Sequence, residues 1–373
     1  MSISKNKFKN NKKSRNKKNS NKNGGSNINL EITNNNYLKY IIRDIKKNRI
    51  NYDLLSELLN QNNINNKYKG KSLLYVAIEY QNIKLIELLI DKGIDVNIHN
   101  INSGLLPINL AIDKENYNIL NLLINNGADI NKKNGNGELL LNYIIQIFYY
   151  SDNKSPYYNF IELILDNKNF NPDIKDILGF TPLHYACYYS IKFIVEKLIN
   201  LNANPNLFNN NGILPIHYTI NDYKIEIFNI LVENSAILNV LDNNGYNLIH
   251  YCAINNAKKI LQKLMLKNID INHVDNFGNS PLFISYNRHY LDIFDLLLNE
   301  NNVNHTNSEG NSLLHLAIIN KDIKTIDKLF KLGIDTSILN NDGLEACQLI
   351  PEPDNFNLTI NFPIMHTLCG KGH

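Results

Sequence analysis

Short blocks of hydrophobic residues recur along most of the chain at helical spacing and alternate with polar stretches. Residues 37–42, 54–59 and 160–165, for example, place apolar side chains three and four positions apart. This spacing is typical of helices with one buried face. The polar stretches between the blocks are rich in asparagine, aspartate and glycine, which favour turns. The pattern predicts a series of short helices that begins near residue 34.

The blocks follow a period close to 33 residues. Taking Thr181 as the marker of one block, we find equivalent positions at Ser72, Leu106, Leu139, Thr181, Leu214, Asn247, Ser280 and Ser312, with a degenerate one at Glu345. The successive spacings are 34, 33, 42, 33, 33, 33, 32 and 33 residues. Such a period predicts structural units that stack into one elongated body, rather than two or three separate domains.

The motif at residues 179–187, GFTPLHYAC, has a physical rationale at three of its first four positions. Gly179 can adopt the positive φ of a tight turn, and Thr181 can cap the first amides of a helix. Pro182 suits the first helical turn, where no N–H is needed. The motif therefore predicts a turn followed by a helix that begins near Pro182.

These residues resemble the ankyrin repeat, whose pattern starts Gly-x-Thr-Pro-Leu-His-x-Ala and closes on Gly-Ala-Asp-Val-Asn, as at residues 93–97 and 127–131. The resemblance covers residues 34–350. It implies an all-α fold, an ankyrin-repeat solenoid of helix-turn-helix units with short extended hairpin turns. It also implies structural roles, in which the motif ties its own turn to the next repeat, for Thr181, Pro182, His184, His217, His250 and His315.

Thr181, His184 and Cys187 also raise the alternative of a nucleophile with its base, or of half a metal site. The histidine recurs in three other repeats without a cysteine at the same offset, which favours the structural interpretation. No phosphate-binding loop GxxxxGK[ST], no GxSxG and no HExxH occurs. We therefore expect no catalytic residue, no metal site and no cofactor.

Composition and charge divide the chain into three parts. Residues 1–33 form a Lys- and Asn-rich tail that we expect to be disordered, residues 34–350 the solenoid, and residues 351–373 a tail to which the pattern assigns no fold. Within the solenoid we expect an N-terminal cap at 34–66, repeats at 67–340 and a degenerate C-terminal cap at 341–350. The first 27 residues carry eight lysines and Arg15, a formal charge of +9. Subtracting this charge from the formal net charge of +3 for the whole chain leaves −6 for the remaining residues.

The basic tail permits three interpretations: a solubilising segment, a nuclear-import signal, or weak contact with nucleic-acid phosphates. Four cysteines without a CxxC pair favour a reducing, intracellular compartment. No stretch approaches the ~20 apolar residues of a membrane span. We expect a monomeric cytoplasmic protein without membrane contact, with nuclear import as an option.

The third repeat carries nine extra residues, which we expect to form a loop at about residues 150–159 between its two helices. Tyr149, Tyr150, Tyr157 and Tyr158 lie at or beside this insertion. Two interpretations stay open: the rings fill defects of an imperfect repeat, or they form a hot spot for a partner.

In the ankyrin family the turn tips and first helices line a groove that binds partners. Transferred to this sequence, the positions that face the groove are mainly asparagine and aromatic residues. As partner-binding residues we predict Ile177, Leu178, Phe180, Tyr188, Tyr189, Ile213, Tyr246, Asn279, Asn287 and Arg288. We place the energetic centre in the fourth repeat and its neighbour.

The resemblance thus implies a non-catalytic scaffold that binds a protein partner. One alternative is a substrate adaptor for host ubiquitin-ligase or signalling machinery; another is nucleic-acid association through the basic tail. The abundance of Asn, Ile and Lys is similar to that of ankyrin proteins from large DNA viruses or AT-rich protists, and a viral protein would act in the host cell.

Overall fold

The computed structural model of the protein describes residues 37–61 and 63–349. The predicted tails at 1–33 and 351–373 lie outside these residues. About half of the described residues lie in short helices, and the regular strands among them form one two-stranded antiparallel sheet.

The elements follow one another as pairs of helices. An N-terminal pair, α1 (Tyr37–Lys46) and α2 (Tyr52–Gln61), precedes the hairpin β1 (Lys67–Tyr68) and β2 (Lys71–Ser72). Repeat 1 contains α3 (Leu73–Glu79) and α4 (Ile83–Asp91), and repeat 2 contains α5 (Pro107–Asp113) and α6 (Tyr117–Asn125). Repeat 3 contains α7 (Leu140–Tyr150) and α8 (Ser155–Leu165), and repeat 4 contains α9 (Pro182–Tyr188) and α10 (Lys192–Asn200). Repeat 5 contains the 3₁₀ helices Pro215–Thr219 and Asp222–Lys224, followed by α11 (Ile225–Glu233). Repeats 6 to 8 contain α12 (Leu248–Asn255) and α13 (Lys258–Met265), α14 (Pro281–Asn287) and α15 (Leu291–Leu297), and α16 (Leu313–Ile319) and α17 (Ile323–Lys331); a 3₁₀ helix, Ala346–Leu349, follows.

Local chemistry sets where several of these helices begin. The side chain of Ser72 accepts the N–H of Tyr75 at the start of α3, and Pro182 occupies the first turn of α9. The second helices α4 and α6 begin after an asparagine; the side chain of Asn82, for example, accepts the N–H of Leu85 at 3.0 Å. Others, such as α10 after Ile191, have no side-chain cap, so local capping fixes the start of only some of the helices.

One continuous core runs through the stack from Tyr37 to Ala346. In repeat 4, Leu183 of α9 and Ile194 and Leu198 of α10 are fully buried, and the other repeats bury equivalent side chains. Each helix pair is too small to bury its apolar face alone, so it depends on its neighbours. Stacking, rather than any single repeat, supplies the hydrophobic stabilisation.

The turn tips are joined by a ladder of hydrogen bonds. The N–H of Asn210 donates to the carbonyl oxygen of Leu178 at 3.1 Å, and its side-chain amide donates to that of Ile177, also at 3.1 Å. Asn243 makes the same two contacts with Asn211 and Asn210 one repeat later. Many asparagines of the turn tips therefore link repeats.

Glycine is required where two tips approach closely. Gly179 has φ +80°, and a Cβ atom there would lie 2.5 Å from the Asn210 side-chain oxygen and 2.8 Å from its backbone nitrogen. Both the turn and the contact with the next repeat exclude a side chain at this position.

The third repeat does not loop out as the sequence suggested. Its extra residues lengthen both helices to 11 residues each, compared with 7 and 9 in repeat 4, and only residues 151–154 connect them. The expectation of a loop at 150–159 was therefore wrong. The residues that lengthen α7 include Phe148, which is buried, and Tyr149 and Tyr150, which stay exposed at the end of the helix.

The fifth repeat replaces its first α-helix with a 3₁₀ helix. Thr219 occupies the slot that Ala186 fills in repeat 4; both are completely buried. The Thr219 hydroxyl donates to the carbonyl oxygen of Ile216 at 2.7 Å, a contact with the residue three positions earlier. Ser285 makes the same contact with Leu282 at 2.7 Å in repeat 7, where the first helix stays α-helical, so the hydroxyl contact alone does not account for the 3₁₀ turn.

Among the residues that the structure describes, no helix has both the length and the apolar character to cross a membrane.

Candidate functional site

Buried histidines connect the start of one repeat with the turn of the next. In repeat 4, Nδ1 of His184 accepts the N–H of Thr181 at 3.1 Å, and Nε2 donates to the carbonyl oxygen of Ile213 at 3.0 Å. His250 and His315 make equivalent contacts in repeats 6 and 8. Burial lowers the pKa of His184 to about 4, so the ring is neutral at pH 7. The neutral ring of His184 then offers the one acceptor and one donor that its two contacts use.

His217 in repeat 5 is the exception. Its Nδ1 accepts the N–H of Leu214 at 3.0 Å, but its buried Nε2 has no hydrogen-bond partner. The expected bond to the next repeat is thus absent here, in the one repeat whose first helix is 3₁₀. The ring instead packs edge-on against Tyr251, with centroids 5.0 Å apart.

The arrangement offers no ready metal site or nucleophile. No group of three His, Cys, Asp or Glu side chains within residues 37–61 and 63–349 could hold a metal ion. Cys187 is completely buried, and burial raises the pKa of its thiol well above the usual range. A thiol of this kind is largely un-ionised at neutral pH and shielded from substrates.

Four consecutive repeats place a tyrosine at the same position of the first helix, and we call this set the tyrosine column: Tyr143, Tyr185, Tyr218 and Tyr251. The Tyr143 hydroxyl donates to Asp113 at the end of α5, and the other three hydroxyl groups bind the carboxylate or amide of a turn. Tyr185 donates to Asp176 at 3.0 Å and Tyr251 donates to Asp242 at 2.8 Å, whereas Tyr218 accepts from Asn209 at 3.2 Å. These bonds fix the rings on the surface of the first helices.

Around the column in repeats 3 to 5, seven rings form one continuous group, which we call the aromatic cluster: Tyr149, Tyr150, Phe180, Tyr185, Tyr188, Tyr189 and Tyr218. Centroid distances from Tyr149 to Tyr189 and from Tyr189 to Tyr188 are 4.7 and 4.9 Å. Tyr218 lies 5.6 Å from Tyr188 and 5.8 Å from Phe180. Edge-to-face and tilted contacts at these distances are favourable, so the cluster is a preformed surface.

The cluster exposes part of its area to solvent. Tyr150, Tyr188 and Tyr149 are 71%, 50% and 48% exposed. The apolar tip residues Ile177 and Leu178 of repeat 4 are also exposed, and Phe180 at the base of that turn is half-buried. Of the predicted contact residues in repeat 4, Phe180 and Tyr188 therefore belong to the cluster, and Ile177 and Leu178 are exposed on the turn of the same repeat.

Tyr189 requires a correction. We predicted that Tyr189 contacts the partner, but Tyr189 is only 8% exposed. The last turn of the lengthened α7 covers it, with Tyr149 and Tyr150 at 4.7 and 5.9 Å. Tyr189 therefore supports the exposed rings from below.

Comparison with protein-family models agrees with this architecture. Residues 34–134, 190–275 and 249–340 match the family described as ankyrin repeats (3 copies), and together they cover more than half of the chain. The chain belongs to the ankyrin-repeat family. Ankyrin repeats are generally protein–protein interaction modules, and proteins built from them are typically non-catalytic scaffolds. No curated protein matches the chain.

The matched segments leave out residues 135–189. This stretch contains the lengthened ankyrin repeat 3 and six of the seven rings of the aromatic cluster. The chain therefore concentrates exposed aromatic side chains where it departs most from the ankyrin pattern.

Lys224 joins ankyrin repeats 4 and 5 beneath the cluster. Its Nζ donates to the carbonyl oxygens of Cys187, Tyr188 and Tyr218 at 3.3, 2.8 and 3.0 Å. Two of these carbonyls lie at the C-terminal end of α9, where a cation is stabilised by the helix dipole. Burial lowers the pKa of Lys224. The ammonium group thus holds the backbone of two residues that carry cluster rings.

The other predicted contact residues lie outside the cluster. Ile213 and Tyr246 are half-buried on the turns of ankyrin repeats 5 and 6, and the Tyr246 ring stacks on His250 with centroids 5.3 Å apart. Asn279 is half-buried, whereas Asn287 and Arg288 are exposed at the end of α14. No ring contact or hydrogen bond within the described residues links these five residues to the cluster.

Sequence reasoning missed the tyrosine column. Its signal was nevertheless present, because a tyrosine follows the motif histidine in repeats 4, 5 and 6 and follows Asn142 in repeat 3. Comparing all repeats at this position, rather than only at the motif positions, would have found it.

Proposed function

We propose that this ankyrin-repeat protein is a non-catalytic scaffold that binds a protein partner through the aromatic cluster of repeats 3 to 5. The observation that carries this proposal is the contiguous set of seven rings, of which Tyr149, Tyr150 and Tyr188 are exposed. The apolar tip residues Ile177 and Leu178 of repeat 4 are exposed as well. Exposed apolar patches of this kind typically mark interaction sites, and tyrosine is enriched where interfaces concentrate their energy.

Preorganisation supports the same proposal. The hydroxyl of Tyr185 binds Asp176, Lys224 holds the backbone of Tyr188 and Tyr218, and Tyr189 packs beneath the exposed rings. A partner that binds such a surface loses little free energy in ordering it. The rings are large and have few rotatable bonds, so their burial favours binding at a low entropic cost.

The two alternatives gain no support from the described residues. The nucleic-acid hypothesis depends on the basic segment at 1–33, and the adaptor hypothesis on the segment that follows Leu349. Both lie outside the residues that the structure describes and stay predictions.

The test compares three full-length baits in extracts of the native cell: the unmodified chain, a Tyr150→Ala/Tyr188→Ala variant and a Tyr40→Ala/Tyr80→Ala control. Tyr40 and Tyr80 are 41% and 45% exposed, near the N-terminal end of the stack. We expect a partner bound by the unmodified chain and the control but not by the cluster variant.

Melting temperature decides whether the comparison is valid. Because Tyr150 and Tyr188 are half exposed or more, we expect their truncation to leave the thermal transition nearly unchanged. Equal capture of the same partners by the cluster variant and the unmodified chain, with intact folding, would show that the interface lies elsewhere.

A further inference from the structure

Three carboxylates border the aromatic cluster on the side of repeats 2 and 3, and we call them the carboxylate border: Asp113, Glu115 and Glu138. The hydroxyl of Tyr143 donates to Oδ1 of Asp113, and that of Tyr157 donates to Oε1 of Glu115 at 3.1 Å. The third carboxylate accepts the side-chain amide of Asn134 at 2.9 Å. These bonds orient the negative charges before any partner binds.

The border lies next to the cluster. Tyr143 and Tyr150 are seven residues apart in α7 and therefore lie on one face of that helix. The Tyr157 hydroxyl also interacts with Ser151, the residue that follows Tyr150. Burial is the main cause that raises the pKa of Tyr143 and of Tyr185, and the charge of Glu138 raises both further, so it acts on rings of two neighbouring repeats.

No cation among the described residues forms an ion pair with the border. None of the ion pairs in this part of the chain includes Asp113, Glu115 or Glu138. Partial burial is the main cause that raises the pKa of Asp113, and the nearby charge of Lys114 lowers it only in part. Asp113 and Glu115 nevertheless expose part of their surface to solvent, so a cation from outside can reach and stabilise them.

The rings of the cluster likewise have no lysine or arginine of the described residues over their faces. Elsewhere this chain places its own cations over aromatic faces, as with Lys84 over Tyr52 at 4.5 Å and Lys154 over Phe148 at 5.1 Å. No lysine or arginine of the described residues lies over a ring of the cluster, and Lys224 is bound to backbone carbonyls beneath it. Open ring faces attract cations through their electron density.

We propose that the partner presents a segment with lysine or arginine side chains, whose charged ends pair with the carboxylate border while their stems lie on the aromatic cluster. This inference rests on the proposed function and names the chemistry of the partner. Such a segment supplies cations to the carboxylates that have no ion pair and to the ring faces that have no cation over them. An acidic segment would be repelled by the border, and a purely apolar one would leave desolvated carboxylates unpaired.

The first experiment measures fluorescence polarisation of two labelled decapeptides with the full chain. One peptide alternates leucine with lysine and arginine, and the other replaces these cations with acetyl-lysine and citrulline, which are similar in shape but uncharged. We expect the cationic peptide to bind about tenfold more tightly or better. Equal affinities would overturn the inference.

The second experiment localises the effect. Asp113→Asn/Glu115→Gln retains an oxygen that accepts each tyrosine hydroxyl but removes two charges. Asp166→Asn/Glu233→Gln is the matched control, because both acids are exposed at the ends of second helices and form no ion pair. We expect the first variant to bind the cationic peptide about tenfold more weakly and the control to bind nearly as the unmodified chain does. An equal loss in both would mean that net charge, not the border, attracts the peptide.

The two proposals fail in different ways. If Tyr150→Ala weakens both peptides equally and the uncharged peptide binds as well as the cationic one, the cluster binds partners without a charge preference. That result overturns only the inference of this subsection. If the cluster variant captures every partner of the unmodified chain, the proposed function itself is wrong.

Discussion

The seventh repeat contains an identifiable defect. Asp275 is 5% exposed, and its Oδ1 accepts the N–H groups of Phe277 and Asn279, but its buried Oδ2 has no hydrogen-bond partner. In repeats 4 and 6 the equivalent oxygen accepts a tyrosine hydroxyl, as Asp242 does from Tyr251 at 2.8 Å. Repeat 7 has Ile284 at the tyrosine position, so the carboxylate lacks the donor that this position supplies in repeats 4 and 6. The Tyr246 hydroxyl lies near enough to interact with Asp275 but forms no hydrogen bond of normal geometry with its Oδ2 atom.

Ile284→Tyr should therefore stabilise repeat 7. The new hydroxyl would occupy the position that Tyr251 holds one repeat earlier, on a side chain that is half-buried in both cases. A hydrogen bond to a charged group contributes about 1.5–3 kcal/mol, and ordering the larger side chain offsets part of it. We expect a net gain of about 1–2 kcal/mol.

Ile284→Phe is the matched control, because it adds the ring without the hydroxyl. Native-state hydrogen exchange of the amides in α14 gives the free energy of local opening in each variant and does not require two-state unfolding of the whole stack. The tyrosine variant should exceed the phenylalanine variant by about 1 kcal/mol or more. Equal protection in both variants would refute the reasoning that the buried carboxylate lacks a donor.

Three further predictions concern the fold. Burial lowers the pKa of His184 and His217 from 6.5 to about 4, so the unfolded chain binds more protons than the folded chain between these pH values. The contribution of each histidine to the free energy of unfolding should be complete above pH 6.5 and fall by up to about 3 kcal/mol as the pH reaches 4. Replacing both histidines with glutamine should flatten this pH dependence in urea titrations. Gly179→Ala should lower the free energy of unfolding by at least about 1 kcal/mol more than Gly93→Ala does, as measured with denaturant. Both glycines have positive φ, but only Gly179 lies against the next repeat. Equal losses in the two variants would show that the backbone conformation alone matters. Lys224→Met should reduce hydrogen-exchange protection at the end of α9, because three carbonyl oxygens lose the donor they share; unchanged protection would argue against its role as a link between repeats.

The sequence predicts the fold well where each residue acts through local chemistry. The 33-residue period, the turn at Gly179 and the helix start at Pro182 all depend on backbone preferences that a short motif carries. The family match and the helix pairs confirm the ankyrin-repeat solenoid. The predicted domain boundaries stay predictions.

The irregular features depend on contacts between repeats, which a motif does not contain. The spacing shows that repeat 3 has additional residues but not that they extend α7 and α8. That extension places Tyr149 and Tyr150 over Tyr189, which is why a position expected to be exposed is buried. The lost bond of His217 likewise follows from the 3₁₀ turn around Thr219. Three-dimensional packing, not local propensity, decides these cases.

Site-specific photo-crosslinking tests the central claim most directly. Full-length protein with p-benzoylphenylalanine in place of Tyr188 retains an aromatic side chain in the cluster, and the same substitution at Tyr80 places the crosslinker on repeat 1, at a side chain of similar exposure. With the purified partner, the account predicts a crosslink from position 188 and none from position 80. A crosslink from position 80 without one from position 188 would contradict it.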